Sequence, residues 1–231
     1  MTNMFCESAF FGVVISLLAY ELGMLLKKKF GLPIFNPLLI SIAVVIVFLA
    51  VFDINYQNYN DGAKYLSYLL TPATVCLAIP LYEQMEALKK NIKAILAGIL
   101  SGVLTSLTVV LALALIFNLN HKMYVTLLPK SITTAIGMGV SEELGGAVTI
   151  TVAVIIITGG LGKMLAETLC KLFHIEEPIA KGISIGSASH AIGTAKAMEM
   201  GDVEGAMSSL SIAVAGILTV VGASVFANLI P

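Results

Sequence analysis

Five residues of kinds that a bilayer interior rarely holds stand close together in one otherwise apolar passage: Ser187, Ser189, His190, Thr194 and Lys196. They belong to the run 182–205, GISIGSASHAIGTAKAMEMGDVEG. Polar and ionisable groups at membrane depth are costly, so they face a cavity or one another rather than lipid. A second run, 129–146, PKSITTAIGMGVSEELGG, has the same character and carries Lys130, Ser131, Thr133 and Thr134. Read as helix, the first run places Ser187, His190 and Thr194 at i, i+3 and i+7, on one face. In the second, Lys130 shares a face with Thr133 and Thr134.

The chemistry this predicts is recognition of a small carboxylate. Lysine supplies a flexible point charge. The N-termini of broken helices supply N–H donors and a positive dipole end, and hydroxyls complete the shell. The expected substrate-binding set is Lys130, Ser131, Thr133, Thr134, Ser187, Ser189, His190, Thr194 and Lys196, suited to a monocarboxylate with a neighbouring hydroxyl or keto oxygen. His190 either bonds that second oxygen or carries a proton for coupling, since imidazole titrates near physiological pH. The plainer readings stay open beside this one. Hydroxyls are ordinary helix-packing material, a histidine between helices is often a satisfied hydrogen bonder, and lysines snorkel to headgroups. Glu142, Glu143, Glu199, Asp202 and Glu204 read as solvated turns.

The elements that must position these residues are membrane helices. Apolar residues make up 58% of the chain and charged residues 12%, with a mean hydropathy of +0.98, which is far from soluble composition. Every cation is a lysine, so no guanidinium fork is available for a phosphate or dicarboxylate. A net charge of −1 without long basic blocks excludes nucleic acid as a partner. Cys6, Cys76 and Cys170 show neither metal nor disulfide spacing. No nucleophile elbow, HExxH, Walker loop or dinucleotide fingerprint is present, so the chain does not read as an enzyme. The acidic start MTNMFCES is not a signal peptide. No cofactor is expected beyond a coupling ion, H+ or Na+.

Taken in order, spans are predicted at 8–26 and 32–52, followed by a polar, tyrosine-rich loop at 53–64. Residues 65–82 hold Pro72 and Pro80 and read as a broken segment, and 83–93 as an amphipathic turn. Clean spans follow at 94–117, with Gly98 and Gly102 at GxxxG spacing, at 147–162 and at 206–230. Residues 118–122 read as a short loop and 163–178 as a charged connector. Glu21, beside Lys27, Lys28 and Lys29, is either an ion-coupling carboxylate or an interfacial partner of those lysines.

The fold class is therefore an all-α polytopic membrane protein with about six to eight hydrophobic segments, some of them broken or re-entrant, in a single transmembrane domain over 1–231. The lysine distribution favours 129–146 dipping in from outside and returning, with 182–205 dipping from the cytoplasmic side, over the rival arrangement of eight plain crossings. Two such hairpins meeting near the midplane are the arrangement of inverted-repeat secondary transporters.

The runs LLPKSITTAIGMGVSEELGG (127–146) and GSASHAIGTAKAMEMGDVEGAMSSLSIAVAGIL (186–218), with NPLLISI (36–42) and TPATVCLAIPLYEQ (71–84), resemble the signature stretches of the LrgB/CidB family across essentially the whole chain. The first run departs from the family pattern KSVTTPIAM in having Ala135 for proline and Gly137 for alanine. The resemblance implies an antiholin-like, autolysis-modulating protein of the bacterial cytoplasmic membrane, working with a small LrgA/CidA-like membrane partner. It equally implies a carrier for glycolate, glycerate, lactate or pyruvate, because the plastid glycolate/glycerate translocator is similar. A homo-oligomer, a dimer, is the expected assembly.

Overall fold

The computed structural model describes residues 8, 10–30, 37–69, 72, 75, 76 and 78–230. They fall into two compact units, within 1–76 and 77–231. Among the described residues every regular element is helical.

The first unit holds α1 (Phe11–Phe30), α2 (Pro37–Val51) and α3 (Tyr56–Ser67), with α1 packed on both others. The predicted loop at 53–64 is mostly α3. Its N-cap, Asn55, accepts from the Gln57 N–H at 2.8 Å, so the Asn- and Asp-rich composition that signalled a loop marks a helix start instead. The Tyr59 hydroxyl lies 2.8 Å from Ser16 Oγ and ties α3 to α1. Residues 31–36, which open the second predicted span, lie outside the described set.

The second unit contains α4 (Ala78–Glu83), α5 (Met85–Ile116), α6 (His121–Leu127), α7 (Thr134–Glu143), α8 (Val148–Leu172), α9 (Pro178–Met200) and α10 (Asp202–Phe226), closed by a 3-10 turn at Ala227–Leu229. Among the described residues, three segments are long and apolar enough to cross a bilayer: Met85–Ile116, Val148–Leu172 and Asp202–Leu229. The protein is an all-α membrane protein. The charged connector predicted at 163–178 is largely the continuation of α8, whose lysines and glutamate extend the helix rather than end it.

On α5, Ile95, Ile99, Val103, Leu107, Val110 and Ala114 recur at helical spacing and are buried. They join Met207, Ala215 and Ala223 of α10 and Tyr124, Val125 and Leu128 around α6 in one core. The Tyr124 hydroxyl donates to Phe226 O at 2.9 Å, and His121 Nδ1 lies 2.6 Å from Ile230 O. The start of α6 and the end of α10 therefore share one face of the unit.

Two segments enter this frame and turn back. Segment α6–α7 is a hairpin: Gly137 lies beside Pro129, and Ser141 lies in the same hydroxyl cluster as Thr126, so the limbs run antiparallel about the tip at 129–133. The Ala147 N–H donates to Thr126 Oγ1 at 2.8 Å, which brings the chain back to the face it left. Segment α9 reverses at His190, whose φ of 43° and ψ of −143° break the helix. Gly182, early in α9, packs against Glu204 and Met207, beyond its end. A straight helix would carry residue 182 about 27 Å from residue 200 at 1.5 Å per residue. Hairpin α6–α7 followed by α8, and hairpin α9 followed by α10, thus repeat one motif with opposite polarity.

Candidate functional site

The hairpin tips converge on α5 and α8. Ser131, at the first tip, lies 3.1 Å from Ser106 Oγ on α5. Ser106 is ten residues short of the α5 C-terminus, about 15 Å in from that end. Ile155 of α8 touches both hairpins: its side chain abuts Gly137, and its carbonyl accepts from His190 Nε2 at 3.0 Å.

Between α5, α8 and the first limb of α9 lies a cavity of about 910 Å³, whose lining extends from Asn91 and Glu177 at one face to Ser106, Lys130 and Ser131 at the first hairpin's tip. Lys130 is half-buried and donates to Ser131 Oγ at 2.9 Å. Among the described residues it has no carboxylate within ion-pair distance, unlike Lys64, Lys163 and Lys196. An ammonium only donates, so Ser131 Oγ accepts from Lys130, and either hydroxyl of the Ser131–Ser106 pair can donate to the other. By contrast, Ser101, Ser184 and Ser187 donate to their own helices, to Gly98, Lys181 and Ile183 carbonyls at 2.8, 2.9 and 2.7 Å.

Ser189, just before the second tip, also lines the cavity. It is 97% buried (3% exposed) yet makes no hydrogen bond among the described residues. Its hydroxyl occupies the volume that a side chain at Gly162 would take, so the glycine is what admits it. Together these groups form one cationic pole beside the Ser131 and Ser106 hydroxyls, with the Ser189 hydroxyl of α9 lining the same cavity. That arrangement suits a small anion with a further oxygen.

Of the expected binding set, the cavity brings together Lys130, Ser131, Ser187 and Ser189. The others lie outside its lining. Thr133 and Thr134 start α7, half-buried. The expected common face of Ser187, His190 and Thr194 does not exist, because the chain reverses at His190. Ser187 packs on Gly102 of α5, whereas Thr194 Oγ1 lies 2.7 Å from Ser208 Oγ of α10. Lys196 pairs with Glu167 at 2.6 Å and Glu199 at 3.2 Å, away from the cavity. Glu21 is exposed on α1 in the first unit, with no ion pair to Lys27, Lys28 or Lys29 among the described residues. Glu204, expected in a solvated turn, is buried in the first turn of α10, where a carboxylate suits the positive helix end. Gly137 packs against Ile155, whose side chain takes the volume that a Cβ there would fill.

Thr105, Ser106, Thr158 and Gly162, none of them in the expected binding set, also line the cavity. The available signal was the density of hydroxyls on α5, three within Ser101–Ser106 of one apolar helix.

The LrgB-like family profile matches residues 16–229. The chain belongs to the LrgB-like family. Its similar relatives include proteins named antiholin-like protein LrgB from Bacillus mycoides (strain KBAB4), Bacillus cereus (strain B4264) and Bacillus anthracis (strain CDC 684 / NRRL 3495). Each is 40% identical over 213 residues, covering 92% of this LrgB-like chain and 93% of the relative. No solved structure matches.

Proposed function

We propose that this LrgB-like protein is a secondary transporter for small 2-hydroxy or 2-keto monocarboxylates, of the glycolate, glycerate, lactate and pyruvate class. It works by alternating access as a multi-pass protein of the bacterial cytoplasmic membrane. The observation that carries the reading is Lys130, an ammonium at the tip of a broken helix pair with only Ser131 as its hydrogen-bond partner among the described residues. A half-buried cation without a carboxylate among the described residues suits an anionic partner, and a monocarboxylate supplies one charge to match it. Alternating access is supported by asymmetry. The cavity lining reaches Glu177 at one face, while hydroxyls of Thr126, Ser141 and Thr151 fasten the first hairpin toward the other.

The test is uptake of labelled glycolate, lactate and pyruvate into proteoliposomes under imposed H+ or Na+ gradients. Saturable uptake that Lys130→Ala removes is the expected result. Absence of saturable flux, or equal flux in Lys130→Ala, rejects the carrier.

A second reading has its own support in the name of the relatives: an antiholin-like regulator of a holin-type partner and of murein hydrolase activity. It requires a small LrgA/CidA-like membrane protein, with this chain as a dimer. Leakage of large dyes when both proteins are co-reconstituted, without selectivity among acids, favours that role.

A further inference from the structure

The cavity is far larger than a three-carbon acid. Such a molecule fills the space of about three to four waters, roughly 100 Å³ at ~30 Å³ each, against 910 Å³. What surrounds the remainder is apolar: Ala94 and Val109 of α5, Ile175 before α9, and Ile179, Ala180 and Ile183 on its first limb. The serines along this wall turn inward, each donating to its own helix, so they present little polarity to an occupant. The cationic group sits at the inner end, where Lys130 donates to Ser131 Oγ and Ser106 Oγ lies 3.1 Å beyond. One charged pole and a long apolar wall are the signature of a site for an amphiphile.

We infer that the cavity binds medium-chain monocarboxylates, with the carboxylate on Lys130 and the alkyl tail along the wall between α5 and the first limb of α9. The inference rests on the carboxylate reading of Lys130. It extends that reading to a class of ligand whose tail covers surface that a short acid leaves wet. Covering apolar wall is favourable in proportion to the area removed from water, so affinity rises with chain length until the tail reaches the mouth at Asn91 and Glu177.

The test uses the full chain in proteoliposomes. Labelled octanoate is displaced by unlabelled acetate, butanoate, hexanoate and octanoate, with octanol as the uncharged control. Affinity is expected to rise about twofold to fourfold per added methylene, and octanol is expected to compete poorly. Lys130→Gln weakens every acid in the series. Ala180→Phe, at an exposed position that faces the cavity, lowers the octanoate-to-acetate preference about fivefold, the equivalent of one or two methylenes. Ala94→Phe repeats this from the opposite wall, so misfolding of one variant does not decide the outcome. Affinity flat across chain length overturns the inference. So does octanol competing as well as octanoate, or signal that scales with lipid and ignores all three substitutions, which is bilayer partitioning only. Octanoate binding without uptake of short acids rejects the transport reading and keeps this one.

Discussion

The imidazole Nε2 of His190 lies 3.0 Å from the main-chain oxygen of Ile155, and this one bond fastens the tip of the second hairpin to α8. The oxygen accepts, so Nε2 carries the hydrogen. The ring lies against Gly159, and the Ile155 side chain reaches Gly137 of the first hairpin. One turn of α8 therefore registers both re-entrant segments.

The backbone of His190 pays for this position, at a φ of 43° that favours glycine. His190→Gly and His190→Ala remove the same hydrogen bond, but only alanine keeps the strained torsion. His190→Ala is expected to be less stable than His190→Gly by about 1 kcal/mol. Thermal unfolding of the purified protein reads the difference. Equal melting of the two variants means that the reversal has relaxed.

Ser189 and Gly162 yield a prediction about the cavity itself. Gly162→Ala puts a methyl where the Ser189 hydroxyl sits, whereas Ser189→Ala removes the hydroxyl without crowding. Both are expected to lower uptake of hydroxy acids by about tenfold, the equivalent of one hydrogen bond of ~1.4 kcal/mol. Only Gly162→Ala is expected to lower the melting temperature as well. Initial uptake rates and melting curves of the two variants separate loss of a cargo contact from loss of packing. Unchanged uptake in Ser189→Ala removes that residue from the site.

How far the sequence discloses this arrangement depends on how each feature is encoded. Helices and re-entrant runs are legible because hydroxyls and charges cluster where a bilayer tolerates them least, as at Lys130–Thr134 and Ser187–Lys196. The reversal at His190 is not legible. It falls on a histidine between alanine and serine, with neither proline nor glycine at the turning residue, so helical spacing carried through it and joined Ser187 to Thr194. Ser106 is hidden for a different reason: in an apolar helix a serine that meets a distant tip looks the same as one bonded to its own backbone. Residues 53–64 mislead through composition, since Asn55 caps a helix that the polar residues seem to forbid.

Lys130 and Lys196 make opposite predictions although both were expected to bind cargo. Lys196 has two carboxylate partners on a partly exposed surface, and such pairs contribute about 0–1 kcal/mol to stability. Lys196→Ala is expected to leave uptake close to wild type and to shift melting little. Lys130→Ala is expected to reduce uptake by about a hundredfold, as loss of a charge-assisted contact of roughly 2–3 kcal/mol would. Parallel transport assays with expression-matched variants read the contrast. A Lys196→Ala defect as deep as that of Lys130→Ala contradicts the placement of the site.

Thr151 supplies the sharpest test of how the first hairpin is held. Its hydroxyl donates to Thr126 O at 2.9 Å and lies 2.7 Å from Ser141 Oγ, and all three residues are fully buried. The one Thr151 hydrogen is within reach of two acceptors, Thr126 O and Ser141 Oγ, while Thr126 Oγ1 donates to Lys122 O at 2.6 Å. Thr151→Val keeps the shape but removes the donor that Thr126 O and Ser141 Oγ share in an apolar interior. The expected cost is about 1–3 kcal/mol, seen as a lower melting temperature. Thr151→Ser restores both bonds and loses one methyl, so it is expected to recover most of the stability. If valine and serine variants melt alike, packing of the γ-methyl rather than the hydroxyl relay joins the hairpin to α8.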